Sequence, residues 1–141
     1  MNKSGIIIVI EDDIDDQEFL QESFEEINCP NKIMYFPDGE AALDYLISCD
    51  EEPFLILSDI NMPKLNGMEL HAKIQNNEQL RLRCIPYLFF TTTSDQRQVI
   101  DAYSKSVQGF FIKPSSIVKL KDILQTILKY WTDCESPNYI K

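Results

Sequence analysis

Glu11, Asp12 and Asp13 follow directly on the apolar run IIIVI, Ser58 and Asp59 on FLIL, Thr91, Thr92 and Thr93 on YLFF, and Lys113 with Pro114 on GFFI. Carboxylates, hydroxyls and one lysine that terminate apolar runs are the parts of a charge-handling site. If the carboxylates share one edge they repel, each pair by about 4 kcal/mol at about 4 Å in an effective dielectric of about 20. A marginally stable domain does not carry that repulsion uncompensated. Lys113 supplies one positive charge, and a hard divalent cation with oxygen ligands supplies two. Mg2+ suits a site of few carboxylates because it keeps waters that incoming phosphate oxygens replace. Together these groups are the equipment of phosphoryl transfer: an aspartate held against Mg2+ and lysine attacks phosphorus and becomes an aspartyl phosphate, while metal and lysine offset charge on the equatorial oxygens. Asp59, at the end of a run built for burial, is the nucleophile in this reading, with a rigid core behind it.

The elements that must position these residues are legible in the hydrophobic pattern. IIIVI, IMYF, FLIL, YLFF and GFFI are continuous rather than alternating, as in strands buried on both faces. Between them Ile14, Leu20, Phe24 and Ile27, then Leu43, Leu46 and Ile47, then Met68, Leu70 and Ile74, then Val99, Ile100 and Tyr103 recur at helical spacing. The last stripe is the fullest: Ile117, Leu120, Ile123, Leu124, Ile127, Leu128 and Trp131. A strand followed by a helix, repeated through the chain, predicts a parallel sheet with right-handed crossovers and helices on both faces. The expected architecture is α/β, a flavodoxin-like (βα)5 sandwich with strand order 2-1-3-4-5. In such a sheet ligands sit outside the carboxyl ends of the strands, where the residues above converge. The stretch NNEQLRLRC, within Asn76 to Cys84, is long for a connection, and no role for it is read from the sequence. The tail DCESPNYIK is expected to leave the last helix, so that residues 1–132 form the domain and 133–141 a polar extension.

The chain has 141 residues, enough for a single core. Its formal net charge of −10, from 23 acidic against 13 basic residues, opposes direct contact with nucleic acid or an anionic membrane. The N-terminal apolar run is too short for a signal peptide or a membrane span, so a soluble, cytoplasmic protein is expected. Cys29, Cys49, Cys84 and Cys134 contain no C-x-x-C pair and are read as reduced thiols. The lone His71 is expected on a helix surface.

In order and spacing, VIEDD, SDINMPKLNGMEL, FFTTTS and GFFIKP resemble the motifs of the receiver domains of two-component response regulators, from Ile6 to about Trp131. The likeness is to single-domain regulators of the chemotaxis type, and TTTSDQRQVIDAYSKSVQGFFIKP is similar to the small regulators associated with phytochrome kinases. It implies Asp59 as phosphoacceptor, Asp12 as a direct Mg2+ ligand, Glu11 as an acidic partner acting through metal-bound water, and the Asn61 backbone carbonyl as a further ligand. Lys113 would contact the phosphoryl group. Thr91 would move to hydrogen-bond that group, and Phe110 would be the aromatic switch that turns inward with Thr91. Pro63 and Gly67 would shape the loop behind Asp59, and Pro114 would follow a cis peptide bond. The partners implied are a sensor histidine kinase or histidine phosphotransfer protein and a downstream protein target. A homodimer through the face of the fourth helix, fifth strand and fifth helix is also implied. Phe110 departs from the family's tyrosine in lacking a hydroxyl, and Thr92 stands where a small residue is common. Asn61 and Thr93 occupy positions where the family varies phosphoryl lifetime.

Other readings of the same residues are weaker. Asp13, Asp15 and Asp16 can be explained as helix-capping and dipole-favouring acids. An EF-hand starting at Asp13 fails, because Glu18 stands where glycine is needed and Phe24 where the bidentate glutamate is needed. A haloacid-dehalogenase-like phosphatase needs D-x-D, and here Asp59-Ile60-Asn61 lacks the second carboxylate. A flavin module would meet an acidic loop after its first strand where a phosphate cradle is required. The sequence therefore predicts a phosphoacceptor rather than a turnover enzyme, with a phosphorylation-independent scaffold as the alternative.

Overall fold

A computed structural model of the protein describes residues 1–92 and 95–137. In chain order the elements are β1 (Ile7–Ile10), α1 (Ile14–Glu26), β2 (Ile33–Phe36), α2 (Gly39–Ser48), β3 (Leu55–Ser58), α3 (Gly67–Asn76), α4 (Glu78–Arg81), β4 (Tyr87–Thr91), α5 (Gln96–Ser104), β5 (Gly109–Ile112) and α6 (Ile117–Asp133). The five strands are parallel in the order β2-β1-β3-β4-β5, the flavodoxin-like arrangement expected.

Successive strand residues point to opposite faces of a sheet, and both faces here are covered. Ile8, Ile10, Ile56, Tyr87 and Phe89 pack on one side with Ala42, Leu46, Leu70, Ile74 and Ala102 of α2, α3 and α5. On the other side Ile7, Val9, Leu55, Leu57, Leu88 and Phe90 meet Leu20 and Phe24 of α1 and Leu120, Leu124 and Ile127 of α6. Each fully buried valine, leucine, isoleucine or phenylalanine among them stabilises the fold by roughly 1.5–3 kcal/mol. The central strands β1, β3 and β4 are buried throughout, whereas β2 and much of β5 are only partly covered because they form the sheet's edges.

The helical stripes are less complete than the pattern predicts. Ile14 opens α1 and is 68% exposed, and Ile47, one position on from the buried Leu46 and so about 100° around the helix, faces solvent. Ile100 and Tyr103 of α5 are also exposed.

The segment between α3 and β4 contains an additional short helix. Asn77 caps it by accepting a hydrogen bond from the Leu80 amide at 3.1 Å, and Leu80 is buried. Arg83, just beyond it, donates to the Leu46 and Cys49 carbonyls at 3.1 and 3.0 Å. The segment thus satisfies carbonyls left open at the C-terminus of α2. Its tie is structural.

His71 is buried, not on the surface as the sequence reading had it. It is one position from Leu70 and three from Ile74, which puts it on the inner stripe of α3. Its ring meets Tyr87 edge-on with centroids 4.9 Å apart, and Nε2 is buried without a hydrogen-bond partner among the described residues. Burial, with Lys105 adding to it, lowers the imidazole pKa. Unfolded His71 therefore takes up a proton first as pH falls, so its contribution to stability is present above about 6.5 and is lost below that value. A His71→Phe variant is expected to flatten the loss of stability between pH 7 and pH 5, measured by urea unfolding at each pH.

No helix among the described residues is long and apolar enough to cross a membrane. The four cysteines are free thiols. Helix α6 continues to Asp133, and the end of the expected tail, residues 138–141, lies outside the described residues.

Candidate functional site

The register of the sheet carries the sequence motifs to one corner. Ile10 pairs with Ser58, so Glu11 and Asp59 leave adjacent strands at the same level, and the Asp59 amide donates to the Ile10 carbonyl at 3.0 Å. Thr91 pairs with Ile112, and the next residue, Lys113, donates its amide to the Thr91 carbonyl at 2.8 Å. Each functional side chain thus sits at the tip of a strand anchored in the core.

Asp13 caps α1, its side chain accepting from the Asp16 amide at 3.1 Å. The cap turns the chain away directly after Glu11 and Asp12, so both remain at the strand edge. Glu11 is buried, with Oε2 accepting from the Asp13 amide at 3.2 Å. Asp12 is exposed.

Behind Asp59 the chain loops through Pro63 and re-enters at Gly67, whose amide donates to the Ile60 carbonyl at 2.9 Å. Asn66 and Glu69 close a reciprocal capping box at the start of α3. Lys64 has φ of 62°, and its ammonium lies 3.8 Å from the buried Asp38, the N-cap of α2. The loop is therefore tied at both ends and braced against a neighbouring helix.

Carboxylate oxygens of Glu11, Asp12 and Asp59 lie within 4.8 Å of one another. They are hard oxygen donors that carry excess negative charge, with Asp12 open to solvent. This donor set fits Mg2+ better than a soft metal. Lys113 Nζ contacts Glu11, Asp16 at 3.1 Å and Asp59 at 3.2 Å. Burial lowers the Lys113 ammonium to about 8, and the carboxylates around it favour its charged form at neutral pH. Asp59 Oδ1 accepts from the Ile60 amide at 2.7 Å. Burial raises the Asp59 carboxyl above its ordinary value; Thr91 and the Ile60 and Asn61 amides oppose the rise, and Asp12 adds to it. The Thr91 hydroxyl is buried beside Asp59, close enough to favour its charged form, but among the described residues it has no hydrogen bond of good geometry.

The response regulator receiver domain matches residues 7–125. This chain belongs to that family. Proteins similar to it include the probable methanogenesis regulatory protein FilR2 of Methanothrix harundinacea, 34% identical over 89% of this chain and 83% of its own. Response regulator Rcp1 of Synechocystis is 29% identical over 94% of this chain and 92% of its own. Its Mn2+-bound crystal structure superposes with a TM-score of 0.79, covering 94% of this chain and 99% of that one. The phosphorylated cyanobacterial phytochrome response regulator RcpA superposes with a TM-score of 0.83 at 26% identity, covering 94% of this chain and 98% of that one. The strand order and the acidic corner found here are thus set in a receiver fold used in two-component signalling.

Within this receiver Glu11, Asp12, Asp59, Thr91 and Lys113 lie at one corner. Asn61 is exposed in the loop two residues beyond Asp59. Phe110 is half-buried, its ring centroid 6.0 Å from that of Phe89. Thr92 is exposed, and Thr93 lies outside the described residues. The Lys113–Pro114 bond is trans, contrary to the cis bond the resemblance implied. Trans is the lower-energy form by about 0.5–1 kcal/mol, and Lys113 reaches the carboxylates without the alternative. Sequence reasoning missed Asp16, which it treated as a capping acid. Its position three residues after Asp13, one turn along the same helix, was the available signal. Beside the corner, between α1 and α6, opens a cleft of about 480 Å3 floored by Phe19, Leu20, Phe90 and Leu120.

Proposed function

We propose that this receiver accepts a phosphoryl group on Asp59 from a partner histidine kinase or histidine phosphotransfer protein and signals by changing its protein contacts. The observation that carries the reading is the meeting of Asp59 with Lys113 and two further carboxylates at the carboxyl edge of the sheet. Glu11, Asp12, Asp59 and the Asn61 backbone carbonyl would hold Mg2+. The ion would offset negative charge on the carboxylates and on the oxygens of the transferring group.

The remaining work falls to side chains of this chain. An Asp59 carboxylate oxygen attacks phosphorus, the P–N bond to the donor imidazole breaks, and the imidazole leaves with its electron pair and regains a proton from solvent. Lys113 leaves its carboxylates for a phosphoryl oxygen and stabilises charge there. The buried Thr91 hydroxyl gains an acceptor in the same group, and Phe110 moves further inward as Thr91 shifts. The face of α5, β5 and α6 repacks in response. Exposed Ile100, Tyr103, Ile112 and Val118 on that face support its use by a downstream protein or a second copy of this chain. The likeness to the response regulator Rcp1 along most of both chains supports the regulator reading. A receiver that takes its phosphoryl group from such a kinase would work in the cytoplasm.

The test is intact mass after incubation with a small-molecule phosphodonor and Mg2+, with an EDTA control. One metal-dependent phosphoryl adduct is expected. Its absence in folded protein would favour a phosphorylation-independent scaffold. Lys113→Ala is expected to retain some labelling but to lose the phosphorylation-dependent change in chemical shifts across α5, β5 and α6, read by NMR.

A further inference from the structure

We infer that Asp16 is a positioning residue, the second carboxylate partner that keeps Lys113 at the site once a divalent cation occupies Glu11, Asp12 and Asp59. The inference rests on the metal reading above and assigns a role that the helix-capping explanation of Asp16 does not contain.

An ammonium has three N–H donors and no acceptor. Lys113 directs them at Glu11, Asp16 and Asp59. Two of those acceptors belong to the oxygen cluster that can hold a cation, and Asp16 does not. A divalent ion entering the cluster takes up the charge of Glu11 and Asp59 and repels the ammonium. Among the described contacts of Lys113, Asp16 is the carboxylate left to it. With that partner Lys113 stays within reach of Asp59, ready for an incoming phosphoryl oxygen, and the ion enters without stranding a buried cation.

The geometry is specified rather than incidental. The Asp13 cap fixes the first turn of α1 through the Asp16 amide, and the Gln17 side-chain amide donates to the Glu11 carbonyl. Asp16 is the member of the trio most open to water, with 38% of its side chain exposed against 2% for Glu11 and 11% for Asp59. It can therefore hold a lysine without being drawn into the metal's coordination.

The prediction concerns coupling between Asp16 and Lys113. In the cation-free protein Asp16→Asn leaves Lys113 two partners, whereas in the cation-bound protein it leaves none, so cation binding is penalised. Calorimetric titration with Mg2+ is to be made on the wild type, Asp16→Asn and Asp15→Asn, each also in a Lys113→Met background. Asp15→Asn removes the same charge from the same turn without touching Lys113. Asp16→Asn is expected to weaken Mg2+ about fivefold more than Asp15→Asn, the order of one partly exposed ion pair. In the Lys113→Met background the two substitutions are expected to match. Equal effects with Lys113 present would overturn the positioning role, as would an excess loss that persists in Lys113→Met, which would mean that Asp16 acts on the ion by charge alone. A wild type that binds no Mg2+ would overturn the metal reading and this inference together, and is distinguished from the other outcomes by the first titration.

Discussion

Asp59→Asn is expected to abolish the phosphoryl adduct while the protein stays folded. The asparagine keeps a carbonyl oxygen that can accept from the Ile60 amide, the 2.7 Å bond that orients Asp59 now. It cannot supply the carboxylate oxygen that attacks phosphorus, and a neutral amide is a far weaker nucleophile. At least about 100-fold less adduct is expected by intact mass, in the range lost with a covalent nucleophile. Stability should not fall, because burial already disfavours the charged form of Asp59 and the substitution removes one of the mutually repelling carboxylates. Lys113 retains Glu11 and Asp16. Full labelling of the variant would remove Asp59 from the proposal while leaving the fold assignment intact.

Gly67→Ala is expected to destabilise the domain by about 3 kcal/mol, the upper end for a forced steric clash. Alanine in a helix is ordinarily favoured over glycine by about 1 kcal/mol, so propensity alone predicts the opposite sign. A Cβ at this position would stand 2.1 Å from the Asp59 carbonyl oxygen and 3.0 Å from both the Phe89 ring and the Ser58 hydroxyl. The carbonyl belongs to backbone at the end of β3 and cannot turn aside as a flexible side chain would. Relief would have to come from moving the start of α3 away from the loop, against the Tyr87 hydroxyl that donates to the Gly67 carbonyl at 2.9 Å. Urea unfolding measures the loss, and phosphodonor labelling of the folded fraction should fall with it because Asp59 shares the displaced peptide. An unchanged midpoint would show that the two backbones can separate freely.

Local physics made much of this protein legible. Strands announce themselves by continuous apolar runs whose residues are buried on both faces, and β1, β3 and β4 behave that way. Polar residues at the ends of those runs marked the functional corner, because a sheet of parallel strands brings all its carboxyl ends to one edge. The resemblance to receivers supplied the division of roles among Glu11, Asp12, Asp59, Asn61, Thr91, Phe110 and Lys113, and the fold supports the family while leaving those roles to experiment.

Other features depended on groups far apart in the chain. His71 carries a polar label, yet its position on the α3 stripe placed it against Tyr87 and Phe89, and packing outweighed residue type. The segment from Asn76 to Cys84 had no evident purpose until Arg83 was seen on the carbonyls at the end of α2, 37 and 34 residues away. Asp16 looked like any acid in a first helical turn. By itself the sequence determined the alternation of five strands with the five longer helices, the burial of the central strands and the polar residues at their tips, because periodicity and strand ends depend on near neighbours. Only the tertiary structure decided that Lys113, 97 residues beyond Asp16 and 102 beyond Glu11, touches both together with Asp59. That contact requires the register of the sheet and the first turn of α1 to be set at the same time, and no local pattern encodes their meeting.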